Sequence, residues 1–135
     1  SSEALRYTYW LHYAEGSAMT PVLLKLIFSK VEKAPLLIRP IAKAISGQVH
    51  SMLINPQLKV HADYMESELS KNTWFAGSMF TAADIQMSFP VEAFAARGGV
   101  IQTHPKLAGF LNAIHSRPAY QRALAKGGPF TLGSF

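Results

Sequence analysis

The segment 80–96 constrains the fold more than any other part of the chain. Thr81 and Asp84 have the spacing of a capping box, in which the N-cap hydroxyl accepts from the N3 amide and the N3 carboxylate accepts from the N-cap amide. Phe80 and Ile85 stand at the two positions of a hydrophobic staple. Because the segment carries only two charges, both acidic, it has no wide polar face to meet water. It therefore predicts a capped helix at the buried centre of the fold.

Apolar residues recur at helical spacing through most of the rest of the chain. Two such stripes are Leu58, Ala62, Met65, Leu69 and Leu107, Phe110, Leu111, Ile114. Pro105, preceded by Thr103 or His104, and Pro118 each fit the first turn of a helix. No convincing alternation of period two occurs, so the predicted fold is all-α, a bundle of five to seven helices.

Prolines mark the uncertain points of this pattern. The stretch 15–21, which ends in Pro21, should weaken or kink the first helix. Pro56 either breaks or bends a long helix, and the sequence leaves both readings open. The apolar stretch 36–38, between Pro35 and Pro40, is read as a turn.

The first helical segment, residues 3–16, is apolar on two sides. A helix of this kind needs two packing partners. One is the rest of this domain, and the other is expected to be a second domain or a second subunit. The aromatic residues on this helix either line a pocket for an apolar ligand or belong to the core.

Composition narrows the class of protein further. The 135 residues fit one domain, residues 1–135, and the lack of cysteine excludes thiolate nucleophiles and zinc–thiolate sites in this chain. The chain opens without methionine, which suggests a processed product or a piece of a longer protein. Residues 25–43 hold five basic residues against one acid. A solvated face is the favoured interpretation of this segment, ahead of a nucleic-acid or anionic-membrane patch.

No constellation of catalytic residues stands out. The five histidines lack the spacing of a metal site, and surface or capping roles are favoured for them. Asp84 could suggest a buried catalytic carboxylate, but its place in the capping box explains it. The prediction is that this chain contains no catalytic and no metal-binding residue.

Several motifs together resemble the C-terminal, all-α domain of a cytosolic glutathione transferase. They are Trp74-Phe75-Ala76-Gly77 followed by Thr81-Ala82-Ala83-Asp84, then His104-Pro105-Lys106-Leu107, and finally Arg117-Pro118-Ala119-Tyr120. The opening run from Tyr9 to Ser17 is similar to the first helix of this domain in bacterial and fungal transferases. The resemblance covers nearly the whole chain.

The resemblance implies a division of labour. An N-terminal thioredoxin-like domain, which this chain lacks, would bind the co-substrate glutathione and stabilise its thiolate. This chain would supply the pocket for the electrophile, lined by Tyr9, Tyr13 and Ser17, with Glu15 near glutathione. By itself the chain is expected to be inactive.

The resemblance also implies partners and a location. It suggests a cytoplasmic detoxification enzyme that forms a homodimer, with no metal cofactor and no nucleic-acid or membrane partner. An alternative from a different class stays open: domains of this fold also serve as non-catalytic interaction modules. The basic segment 25–43 favours that alternative, whereas Glu15-Gly16-Ser17 and the aromatic first helix favour the enzyme.

Overall fold

The computed structural model describes residues 1–129 and residue 132. Within these residues all regular structure is helical, which confirms the predicted all-α bundle. The helices are α1 (Ser2–Tyr13), α2 (Met19–Val31), α3 (Arg39–Val49), α4 (Asn55–Lys71), α5 (Ala82–Gly98), α6 (Pro105–His115) and α7 (Pro118–Gly127).

Two π-helical turns, Ala14–Ala18 and His50–Ile54, connect α1 to α2 and α3 to α4 without a break. The seven helices in the described part of the chain therefore form five continuous rods. A π-helical turn has hydrogen bonds from residue i+5 to residue i, one residue more than in an α-helix. Pro21 and Pro56 each lie in the first turn of the α-helix that follows a π-helical turn. The helical rod thus continues through Pro56. Of the two readings that the sequence left open, a break at this residue is excluded.

Helix α5 lies at the centre of the bundle, as its sequence predicted. It packs against α1, α2, α4 and α6. Met87, Val91 and Phe94 on α5 are fully buried, and Pro90 within the helix is buried as well. Gly99 ends the helix in the left-handed conformation, with φ of 64°, where a glycine avoids the strain of a side chain.

The Asp84 carboxylate connects the start of α5 to the preceding loop. Both halves of the capping box are present: Asp84 accepts from the Thr81 amide at 2.9 Å, and the Thr81 hydroxyl accepts from the start of α5, including the Ala83 amide at 3.3 Å. The other carboxylate oxygen accepts from the Phe75 amide at 2.9 Å. This last hydrogen bond, nine residues apart in sequence, gave no sequence signal.

The predicted hydrophobic staple is less defined. Phe80 and Ile85 border the same groove, but Ile85 keeps 61% of its surface exposed. The Arg117 guanidinium stacks over the Phe80 ring at 3.5 Å from its centroid and so ties the α6–α7 turn to the start of α5. The staple stays a prediction.

Helix α6 receives its cap from a distant helix. Glu66 on α4 accepts from the Lys106 amide at 2.8 Å and from the Leu107 amide at 2.9 Å. His104, at the N-cap position, makes no capping hydrogen bond. The negative charge of Glu66 meets the positive end of the α6 dipole, which fixes α6 on α4.

Two substitutions test the Asp84 connection. Thr81→Ala removes one cap and should lower the free energy of unfolding by about 1 kcal/mol. Asp84→Ala leaves the Phe75 and Thr81 amides without their acceptor and should cost about 3 kcal/mol. Urea unfolding measures both values, with Ser88→Ala on the exposed side of α5 as a control. Equal losses for the two variants would show that the Phe75 hydrogen bond adds nothing.

Candidate functional site

An aromatic cluster joins α1 to α4. It comprises Tyr9, Trp10 and Tyr13 on α1 with His61 and Tyr64 on α4. The Trp10 ring is fully buried and stacks on the Tyr64 ring, with centroids 5.4 Å apart. Tyr9 stacks on Tyr13 at 5.7 Å, one helical turn away. The cluster is buried at Trp10 and Tyr13 and opens to solvent at Tyr9, which is 47% exposed.

Tyr13 and His61 form the polar contact of this cluster. The Tyr13 hydroxyl lies 2.5 Å from Nδ1 of His61. Burial, and secondarily the neighbouring Tyr9 and Tyr64 hydroxyls, hold the pKa of Tyr13 far above its usual value. Burial also lowers the pKa of His61. Both groups are therefore neutral at pH 7, and the hydrogen bond between them engages the Tyr13 hydroxyl.

The structure separates the remaining predicted site residues. Glu15 is exposed on the π-helical turn after α1, and its carboxylate accepts from Nε2 of Gln86 on α5 at 3.2 Å. Ser17, on the same turn, is half-buried. Tyr9 and Tyr13 thus contact one another beside α4, whereas Glu15 points toward α5. The four residues do not form a single cluster.

A charged network lies one turn before the aromatic cluster. Arg6 donates to Glu68 on α4 at 2.8 Å and to the Phe75 carbonyl at 2.9 Å. Lys71 donates to the other oxygen of Glu68 at 2.9 Å. Hydrogen bonds from Lys71 and Arg6 lower the pKa of Glu68 despite its burial. Glu68 therefore stays ionised in a nearly buried position and holds α1 to α4.

Sequence reasoning missed the partners of the histidines. His104 lies 2.9 Å from the Asp63 carboxylate, His115 pairs with Glu92, and the His50 ring bonds to Ser46. The first two pairs connect elements distant in sequence, so local spacing carried no signal for them, whereas His50 and Ser46 lie one helical turn apart. Within the part of the chain that the structure describes, no three His, Asp or Glu residues gather as metal ligands.

An apolar groove runs between α5 and α7. Its lining residues are Phe80, Ile85, Ser88, Phe89, Tyr120 and Ala123, among others. Two connected hollows of about 370 and 250 Å³ make up this α5–α7 groove. Ile85 and Phe89 are exposed along the groove, so the groove presents apolar surface next to α5.

Part of this chain is similar to a known protein family. Residues 54–118 match the family described as glutathione S-transferase, C-terminal domain. Residues 54–118 belong to this family. The matched region runs from the end of the second π-helical turn to the start of α7, and so includes the Asp84 capping box and the Glu66 cap of α6.

Two yeast proteins are similar to this chain over almost its whole length. Glutathione S-transferase 3 of Schizosaccharomyces pombe is 29% identical over 137 residues, which is 99% of this chain and 56% of that protein. Glutathione S-transferase 1 of Saccharomyces cerevisiae is 31% identical over 130 residues, 93% of this chain and 55% of that protein. The chain thus spans about half the length of the curated relatives that it matches.

A crystal structure shows the same fold. A glutathione S-transferase from Actinobacillus pleuropneumoniae superimposes with a TM-score of 0.66 over 100% of this chain and 56% of its own, at 23% identity. In the described residues, no helix has the length and apolar character to cross a bilayer.

The lowered pKa of Glu68 predicts a specific dependence of stability on pH. Its ionised form stabilises the fold fully above the ordinary value of 4.5, and this contribution is lost as pH falls through the lower pKa of the folded state. Glu68→Gln should lower the free energy of unfolding at pH 7 by about 1 to 3 kcal/mol. It should also reduce the fall of the melting temperature as the pH drops into the acid range. Melting temperatures at a series of pH values test this, with Glu15→Gln as control. If the melting temperature of Glu68→Gln falls in acid as steeply as that of the wild type, the role assigned to the network is contradicted.

Proposed function

We propose that this chain is the C-terminal part of a glutathione transferase and contributes the pocket for the second, electrophilic substrate. The observation that carries the proposal is the coverage of the similarity: nearly all of this chain aligns with only about half of each yeast transferase. The other half is proposed to be a thioredoxin-like N-terminal domain that binds glutathione. The whole protein would act as a cytoplasmic detoxification enzyme.

In this proposal the aromatic cluster forms one wall of the electrophile pocket. Tyr9 offers an exposed aromatic face to the substrate. Tyr13, buried behind it and bonded to His61, supports Tyr9 by stacking and shapes the wall. Ser17 follows on the π-helical turn, four residues after Tyr13, and is proposed to extend the wall. These assignments rest on the position of the stripe in the domain and on the exposure of Tyr9.

The reaction would be attack of the glutathione thiolate on an electrophilic carbon, or on a peroxide or disulfide. A hydrogen bond to the thiolate, donated by the N-terminal domain, would lower the pKa of the thiol and so supply the nucleophile. The residues of this chain would hold the electrophile close to the sulfur and exclude water. Glu15, held by Gln86 on the α5 side, would make a polar contact near glutathione.

Two surfaces are proposed to meet the rest of the protein. The α5–α7 groove is apolar and open. We assign the N-terminal domain as its occupant, because each yeast relative has a further part, nearly as long as the aligned one, that has no counterpart in this chain. A second copy of the chain is assigned to the sides of the α2–α3 hairpin, where Leu23, Ile27 and Ile45 are exposed. These contacts would bury apolar surface and produce a homodimer.

The proposed placement of glutathione predicts the behaviour of the isolated chain. The 135-residue chain should not be retained on immobilised glutathione, since the proposed binding site lies mainly in the N-terminal domain. The intact protein, loaded on the same resin and eluted with free glutathione, is the positive control. Specific retention of the isolated chain would show that the glutathione site lies within α1 to α7.

The wall assigned to Tyr9 predicts a kinetic signature in the intact protein. Tyr9→Ala should change the ratio of kcat/KM between a large aromatic and a small electrophile by about ten-fold or more, because it removes contact area from one substrate. The KM for glutathione should stay within a factor of about two. Tyr7→Ala, on the same helix but beside the loop 76–79, is the matched control. An equal effect of both substitutions, or a change confined to the KM for glutathione, would contradict the assignment.

A further inference from the structure

The distal half of the hairpin formed by α2 and α3 extends beyond the main core, whereas the start of α2 packs against it. Between residues 23 and 53 only one residue, Ser46, is fully buried. Helix α3 packs mainly on α2 and on the π-helical turn that follows it. Leu24, Phe28 and Val49 pack the hairpin against the core, but residues 35–38 at its distal end are exposed.

The turn at this distal end displays its apolar side chains outward. Leu36, Leu37 and Ile38 are 76%, 95% and 53% exposed, although they are among the most hydrophobic residues of the chain. A single exposed leucine is ordinary on a protein surface, but three consecutive exposed aliphatic residues at one tip are not. We call residues 35–40 the apolar tip.

Two backbone amides of the apolar tip are hydrogen-bonded within the turn. The amides of Ile38 and Arg39 both donate to the Pro35 carbonyl, at 3.1 and 3.0 Å, and the Arg39 side chain donates to the Ala34 carbonyl at 3.0 Å. Pro35 and Pro40 further restrict the turn. An ordered turn of this kind can place its side chains in an apolar medium without leaving these backbone donors unpaired.

Positive charge surrounds the apolar tip. Lys33 and Lys43 are exposed, and Arg39 lies between them in sequence on the same turn. The only acid in this part of the chain, Glu32, accepts from the Ser46 hydroxyl at 2.8 Å and faces the His50 ring at 4.0 Å, while 40% of its side chain stays exposed. The tip and its flanks therefore carry a net positive charge around an aliphatic centre.

We propose that the apolar tip of the α2–α3 hairpin binds the surface of an anionic lipid bilayer. Leu36 and Leu37 would enter the boundary between headgroups and acyl chains, while Lys33, Arg39 and Lys43 contact acidic headgroups. The inference is independent of transferase activity. It revises the expectation from sequence alone, which favoured a solvated face for the segment 25–43. The exposure of the three aliphatic residues is seen only in the structure.

Charge and apolarity together favour a bilayer over other occupants. A second copy of the chain would bring two positively charged tips together, which disfavours pairing at this point. Nucleic acid would satisfy the cations but would leave the aliphatic centre without an apolar partner. A bilayer with acidic headgroups matches both features at once.

Vesicle co-sedimentation of the full chain tests the proposal. Binding should occur to vesicles of phosphatidylcholine with phosphatidylserine, weaken at high salt, and be much weaker with phosphatidylcholine alone. The double variant Leu36→Ser/Leu37→Ser should reduce partitioning by about ten-fold or more. Lys33→Gln/Lys43→Gln should reduce it as well and remove most of the salt dependence.

Matched controls lie elsewhere on the surface. Val60→Ser/Met79→Ser changes two exposed apolar residues, and Arg122→Gln/Lys126→Gln changes two exposed cations on α7. Both controls should bind like the wild type, and circular dichroism should show that all variants stay folded. The proposal is overturned if anionic vesicles do not bind, if the tip variants bind like the controls, or if the chain binds a DNA duplex instead. It is also overturned if Leu36→Ser/Leu37→Ser changes the oligomeric state and leaves vesicle binding intact.

Discussion

The backbone of Phe75 is held at both ends, and the packing of the bundle depends on this. Its amide donates to Asp84 at the start of α5, and its carbonyl accepts from Arg6 on α1. The Phe75 ring, fully buried, then contacts Trp10 at 4.5 Å and Phe110 on α6 at 5.0 Å between centroids. One loop residue thereby fixes three helices, since a buried amide and carbonyl are costly to leave unpaired.

The hydrogen bonds at Phe75 also explain the structural roles of Asp84 and Glu68. Asp84 is fully buried, and burial raises its pKa, while hydrogen bonds from the Thr81 and Phe75 amides and from the Thr81 hydroxyl oppose that shift. Glu68 completes the arrangement by holding Arg6 in place. Three donors engage the Asp84 carboxylate, and Arg6 and Lys71 engage that of Glu68, so both acids have structural partners in this fold.

Rigid and exposed parts of the molecule have different proposed tasks. The clamped core positions α1, so that Tyr9 reaches solvent in a defined orientation while Trp10 and Tyr13 stay buried. The α2–α3 hairpin lacks a comparable core and exposes aliphatic residues and cations at its end. Substrate contact is thus proposed on the rigid side and surface attachment on the exposed hairpin. The two π-helical turns connect these regions without interrupting the helical rods.

The sequence by itself determined the helices, the capped central helix and the family, because periodicity and capping act within a few residues. It also placed Tyr9 and Tyr13 on one stripe of α1. Only the tertiary structure decided what each side chain meets: His61 lies 48 residues from its partner Tyr13, and Glu66 caps a helix 40 residues away. It also directed Glu15 away from the tyrosine stripe and left Leu37 exposed. Contacts between distant helices follow from how the rods pack, and no local pattern of residues encodes that packing.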